Sequence, residues 1–197
     1  MTPPPFIYLA SQSPRRRELL EQIGVSFRLL EVNVDESRED GESAQDYVQR
    51  LAEQKAASGW RSLSAAERAP VLGADTAVVI DGEILGKPDD AEDANRMLTR
   101  LSGRTHEVLS AVCVNDGNPR TLLSRSRVTF RPISDSERAV YCASAEPLDK
   151  AGAYGIQGRA AVFVSALEGS YSGVMGLPLY ETAALLSELG IEVFAPR

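Results

Sequence analysis

The sequence predicts an α/β fold with a mixed sheet and flanking helices, read as a single domain over residues 1–197. Three observations lead there. Short apolar runs that suit strands alternate with helical apolar spacing along the whole chain. Hairpin signals at Asp81-Gly82 and in the turn-rich residues 115–119 argue against a purely parallel, doubly wound sheet. No repeat or linker divides the chain, and the only biased tract is the run of prolines at positions 3–5.

The elements follow in order. Residues 6–10, Phe-Ile-Tyr-Leu-Ala, form an apolar run expected to be a buried strand. A helix should follow, with Ser13 as its cap and Pro14 at its first position. Leu19, Leu20 and Ile23 supply its apolar face, and Gly24 ends it. Residues 27–34 read as a second strand. Ser43 with Asp46 makes a variant capping box for a helix whose buried face holds Val48, Leu51 and Ala52. Residues 70–80 read as a strand that turns at Asp81-Gly82 into residues 83–85. Ala91, Ala94, Leu98 and Leu101 have helical spacing, stopped by Gly103. Residues 108–114 and 122–130 read as paired strands. Ser134 with Glu137 opens a helix to about residue 143. Residues 160–167 read as a strand, and Leu179, Ala183 and Leu186 mark a last helix that stops near Gly190.

Composition narrows the function. At 197 residues, 43% hydrophobic and 25% charged, the chain can bury one good-sized core. No apolar stretch approaches the roughly 20 residues of a spanning helix, and residues 1–5 lack the basic and apolar regions of a signal peptide. Cys113 and Cys142 have no metal-type spacing, so a reduced cytoplasmic protein is expected, with both thiols in the core. A net charge of -7 argues against nucleic-acid partners but leaves room for a local basic pocket. The one histidine, His106, excludes a multi-histidine zinc site and is expected to be structural or on the surface. The nearest match to a serine-hydrolase elbow, Gly169-Ser170-Tyr171-Ser172-Gly173, has its serines in the wrong places.

Four places break local rules, and such breaks tend to mark function. In Ser11-Gln12-Ser13-Pro14-Arg15-Arg16-Arg17, three arginines occupy a helix start, where acidic residues are normally preferred. An anion there would be met by backbone N–H groups, hydroxyls and guanidiniums together. The alternative is solvated arginines paired with Glu18 and Glu21. Asp75 lies inside an apolar strand, which is costly unless the carboxylate is paired or metal-bound; a bend with backbone donors is the plainer explanation. Lys55 falls on the apolar face of its helix, to snorkel outward or to direct its ammonium into a pocket. Gly86-Lys87-Pro88 offers a phosphate ligand in Lys87, although its spacing does not make a Walker loop. With Glu36 as a second carboxylate, this inventory suits phosphoryl chemistry with a hard divalent cation.

The same residues carry a resemblance. Leu9-Ala10-Ser11-Gln12-Ser13-Pro14-Arg15-Arg16, Leu51-Ala52 with Lys55-Ala56, Gly73-Ala74-Asp75-Thr76, Gly86-Lys87-Pro88 and Leu101-Ser102-Gly103 resemble the successive signatures of the Maf family. So do the stretch from Pro147 to Gly158 and Gly176-Leu177-Pro178-Leu179. The resemblance implies an elongated, twisted mixed sheet of the kind found in inosine triphosphate pyrophosphatases (the Maf/Ham1 fold), with a central cleft. It implies cleavage of a nucleoside triphosphate to the monophosphate and pyrophosphate, a divalent cation such as Mg or Mn, and a homodimer. Asp75 matches the catalytic proton acceptor. Ser11, Arg16, Glu36, Lys55 and Lys87 match residues around the phosphates and metal, with Ser13 beside them as a phosphate ligand and Glu36 and Asp75 as the metal pair. Arg15, Thr76 and Gln157 resemble the branch acting on dTTP and UTP, whereas the branch acting on 7-methyl-GTP has Trp, Gln and Glu there. That second activity and a non-catalytic nucleotide- or nucleic-acid-binding module are the alternatives. Roles in removing unusual nucleotides and in arresting cell division are family-level expectations.

Overall fold

The computed structural model describes residues 6–144 and 146–193, so the stretch read for a signal peptide lies outside the described residues. Its seven strands form one mixed sheet. β1 (Ile7–Leu9), β2 (Phe27–Leu29) and β3 (Val71–Ile80) run parallel, in the order β2-β1-β3. β4 (Glu83–Leu85), β5 (Thr105–Asn115), β6 (Arg120–Phe130) and β7 (Val164–Glu168) pair antiparallel. The hairpin at Asp81-Gly82 forms as expected, with both residues at positive φ.

β3 organises the sheet. One of its edges pairs with β5 from Val71↔Asn115 to Val79↔Glu107. The other edge is shared. β1 covers its start, at Val71 and Leu72, and β4 covers its end, from Val78 to Ile80. Among the described residues, no strand lies beside residues 73–77 on that edge, which leaves a window in the sheet.

Alternation along β3 sends its side chains to two different layers. Ala77 and Val79 pack with Leu109, Ala111 and Cys113 against Val48, Ala52 and Ala56 of α2 (Ala44–Ser62). Leu72 and Ala74 face the opposite layer, where α1 (Pro14–Gln22) contributes Leu19 and Leu20. There α6 (Leu179–Glu188) adds Leu185 and Leu186. Val78 and Ile80 face α3 (Ala91–Leu101), through Ala94, Leu98 and Leu101, and α4 (Asp135–Cys142), through Tyr141 and Cys142. Each fully buried leucine in these layers is worth roughly 1.5–3 kcal/mol of transfer free energy. At Gly73 α2 lies close against β3: a Cβ there would lie 2.6 Å from the Ala56 nitrogen and 3.1 Å from the Lys55 Cβ.

The caps at Ser43 and at Ser134–Glu137 form as predicted, each serine oxygen accepting from the N–H three residues on. Gly24 follows α1 at φ +73°, the left-handed conformation that a glycine adopts without strain. Three expectations need correction. Ser13 sits at the cap position of α1, but its side chain caps nothing; instead its own N–H donates to the Ser11 hydroxyl at 3.2 Å. The second strand stops at Leu29, not residue 34, because β1 ends at Leu9 and offers no further partner. Residues 160–167 are not one strand: Arg159–Phe163 form a 3-10 helix, and β7 begins at Val164. Ala160 and Phe163 are buried at helical spacing, which an apolar run in sequence does not distinguish from strand.

Both cysteines are free and buried, as expected. His106 is structural: its ring packs edge-on against Phe130 and Tyr154, and its Nε2 is hydrogen-bonded to the Tyr154 hydroxyl at 2.8 Å. Burial pushes its pKa down to about 4. Among the described residues no helix is long and apolar enough to cross a membrane.

Candidate active site

The window in β3 opens into a cleft of about 870 Å³. Side chains reach it from both faces of the strand, Asp75 from the α2 side and Thr76 from the other. Loops and two helices bring the rest. The β1–α1 connection supplies Ser11 and Ser13, and the first turn of α1 supplies Arg15 and Arg16. The irregular segment after β2 carries Glu36, α2 carries Lys55, and the loop after β4 carries Lys87. Gln157 follows the short 3-10 turn Ala151–Ala153. Of the residues singled out in the sequence as site candidates, all line this one cleft except Arg17, the third arginine of the α1 start.

Its centre is an ion-pair triad. The Lys55 ammonium donates to Asp75 Oδ1 at 2.7 Å and lies 2.7 Å from Glu36 Oε1. Lys55 and Asp75 are both buried, so neither the snorkelling lysine nor the backbone-satisfied aspartate describes them. Burial raises the Asp75 pKa, against the opposing pull of Lys55 and Arg16. A carboxylate made more basic in this way is suited to accepting a proton. Burial also raises Glu36, but the hydrogen bond and charge of Lys55, with Lys87 and Arg16 behind them, outweigh it and hold the carboxyl below its ordinary value.

Arg16 turns inward. Its Nε donates to the Gly176 carbonyl at 2.8 Å and its Nη1 to the Ser11 hydroxyl at 3.1 Å. Burial lowers its pKa, while the nearby charge of Asp75 works the other way. Arg15 pairs with Asp149 at 3.0 Å rather than with Glu18 or Glu21. The start of α1 therefore presents backbone N–H groups with no side-chain cap and a cluster of guanidiniums, an arrangement that favours an anion.

Among the described residues no group of three or more His, Cys, Asp or Glu side chains could hold a metal ion. The Glu36 and Asp75 carboxylates nevertheless meet at one ammonium, and two hard oxygen donors facing a cleft suit a cation such as Mg²⁺, which usually takes few protein ligands and completes its shell with phosphate oxygens and water.

Sequence reasoning assigned no role to Tyr47, Asp149 or Lys150. Tyr47 lines the cleft and donates its hydroxyl to the Glu36 carbonyl at 2.9 Å, tying the Glu36 segment to α2. Its place four residues before Leu51 and eight before Lys55 puts it on the same helical stripe, a signal that was available in the sequence. Asp149 joins Arg15 to Lys150, whose Nζ lies 2.6 Å from it.

Comparison with known proteins shows the family. The family model described as Maf-like protein matches residues 6–189. A dTTP/UTP pyrophosphatase of Chromobacterium violaceum is 54% identical over 193 residues, covering 95% of this chain and 96% of that one. A protein of the same name from Cupriavidus metallidurans is 56% identical over 195 residues, covering 94% and 98%. Among solved structures, the Ham1 protein of Staphylococcus aureus overlaps 63% of this chain and 71% of its own, with a TM-score of 0.41 and 13% identity, too loose an overlap to carry an argument.

Proposed function

Because this chain belongs to the Maf family, we propose that it hydrolyses dTTP and UTP to the nucleoside monophosphate and pyrophosphate, as a nucleotide diphosphatase. The observation that carries this reading is the buried Asp75 carboxylate, held by Lys55 beside Glu36 at the floor of a cleft lined by arginines and lysines. Water attacks the α-phosphorus, the bond to the bridging oxygen breaks, and pyrophosphate leaves. Asp75 takes the proton of the attacking water, and its raised pKa supports that role. Arg16, Lys55, Lys87, Ser11, Ser13 and the start of α1 bind and orient the phosphates, so positioning and charge carry most of the chemistry. Glu36 and Asp75 would hold the divalent cation, Mg or Mn, which supplies charge neutralisation on the triphosphate when bound. Arg15, Thr76 and Gln157 meet the base. The amide of Gln157 can both donate and accept at a neutral pyrimidine edge. The reading includes a homodimer and a cytoplasmic enzyme with no nucleic-acid or membrane partner.

The test is pyrophosphate release from dTTP, UTP and 7-methyl-GTP in the presence of Mg²⁺ or Mn²⁺. Release from the first two should dominate and should vanish with excess chelator. Asp75→Asn should lower it by roughly 10²–10⁴-fold with the fold intact. Equal release from 7-methyl-GTP would contradict the substrate assignment, and near-normal turnover by Asp75→Asn would remove Asp75 from the mechanism.

A further inference from the structure

Thr76 and Ser110 face each other across β3 and β5, with their hydroxyl oxygens 2.8 Å apart. Ser110 is buried, and its Oγ lies 2.6 Å from the carbonyl oxygen of Gly173 in α5 (Tyr171–Met175). A carbonyl only accepts, so the single Ser110 proton goes to Gly173. The Thr76 hydroxyl must then spend its own proton on Ser110. What Thr76 has left for the cleft is lone pairs.

We propose that Ser110 is a positioning residue that makes Thr76 a hydrogen-bond acceptor toward the base, so that the cleft selects pyrimidines with an imide N–H, uracil and thymine, over cytosine. This deepens, and rests on, the reading of the cleft as a pyrimidine nucleotide site. The imide N3–H of uracil or thymine donates to Thr76. Cytosine presents a lone pair at the same position, and two acceptors face each other with no proton between them. Such a mismatch leaves buried polar groups unsatisfied, which is the effective way for a site to reject a near-isostere. The Gly173 carbonyl is well placed to fix this polarity. The helix that carries it is capped by Ser170, whose N–H donates to the Ser126 hydroxyl of β6 at 3.0 Å, so α5 is tied to the sheet at two points.

The test is kcat/KM for UTP and for CTP in the wild-type protein, Ser110→Ala and Ser110→Thr, with UMP and CMP binding measured by calorimetry alongside. The wild type should favour UTP by tenfold or more. In Ser110→Ala the Thr76 hydroxyl is free to turn and donate, and the UTP:CTP ratio should fall by about tenfold. Much of that change should come from a rise in CTP turnover, while the Mg²⁺ concentration for half-activity stays fixed. Ser110→Thr keeps the hydroxyl and should restore the ratio. If Ser110→Ala does not fold, Thr76→Val should lower the ratio while Thr76→Ser preserves it. An unchanged ratio in folded Ser110→Ala, an equal loss on both substrates, or no UTP preference in the wild type would each overturn the proposal. A protein that binds UMP over CMP in a Ser110-dependent way but releases no pyrophosphate would keep this inference and overturn the hydrolytic reading instead.

Discussion

The contact at Gly73 permits a test of how closely packing and chemistry are linked. Gly73→Ala adds one methyl group, and its Cβ would lie 2.6 Å from the Ala56 nitrogen and closer still to the Ala52 carbonyl oxygen. Ordinary carbon–nitrogen contacts begin near 3.4 Å, so α2 must retreat from β3 by about 0.8 Å. Ala52 and Ala56 are fully buried, so no loose side chain can absorb the shift. Overpacking of this kind costs roughly 1–3 kcal/mol, and each kcal/mol corresponds to about 2–4 °C in Tm for a chain of this size. Lys55 lies between those two alanines. A retreat of that size lengthens its 2.7 Å bond to Asp75 to about 3.5 Å, beyond a useful hydrogen bond. Misplacement by about 1 Å in a site of this kind lowers turnover by roughly 10²-fold. Urea denaturation and kcat/KM for dTTP measure the two effects on one sample. Gly86→Ala serves as the stability control, since a Cβ there meets nothing within 4 Å and should change stability by under about 0.5 kcal/mol. Unchanged stability in Gly73→Ala would refute the packing argument. Lost stability with unchanged kcat/KM would refute the link from packing to Lys55.

Three further outcomes are expected. The only imidazole of the chain gives one histidine titration in NMR, with its midpoint near 4; because burial lowers the folded pKa from 6.5, stability falls as pH drops from 6.5 toward 4, by ~3 kcal/mol from this group, and levels off below, and a midpoint near 6.5 would show the ring to be exposed. The acid limb of kcat/KM lies above the ordinary aspartate value of 3.8, because Asp75 must be deprotonated to act and burial raises it; Lys55→Met removes the charge that opposes this and should move the limb to higher pH, so a limb at or below 3.8 would count against Asp75 as the base. Gln157→Glu combined with Arg15→Trp and Thr76→Gln should lower kcat/KM for dTTP and UTP more than for 7-methyl-GTP, and equal loss on all three would assign these residues to folding or catalysis rather than to base choice.

Much of the candidate site could be read in the sequence because its residues are costly where they stand. Asp75 in an apolar strand and Lys55 on an apolar helix face each needed a partner, and the structure makes them each other's. The arginines at the start of α1 contradict the helix dipole in the same legible way. The window in β3 could not be read. It arises because β1 and β4, separated by more than seventy residues of sequence, take the same edge of one strand and fail to meet. Local pattern carries no information on which edge a strand will occupy. The sequence pattern does not show the five-residue helix α5 for a related reason: beyond its own cap at Ser170, it is held by Ser110 and Ser126 from distant strands rather than by its own spacing. The Arg15–Asp149 pair spans 134 positions and leaves no periodic trace.

The window also bears on how such an enzyme can change. The carbonyls of Pro70 and Leu72 point toward β1, and backbone alternation directs the peptide groups of Ala74 and Thr76 toward the same open edge. Two adjacent residues, Asp75 and Thr76, therefore enter one cleft from opposite layers of the protein, supported by different neighbours: α2 behind the first, β5 and α5 behind the second. With Asp75 as the proposed proton acceptor and Thr76 as the proposed contact to the base, substitutions in one layer would reach the proton-transfer side of the cleft, and substitutions in the other the side that meets the base. A lineage can exchange one layer's side chains without repacking the other, so that new substrates are taken up on an unaltered reaction.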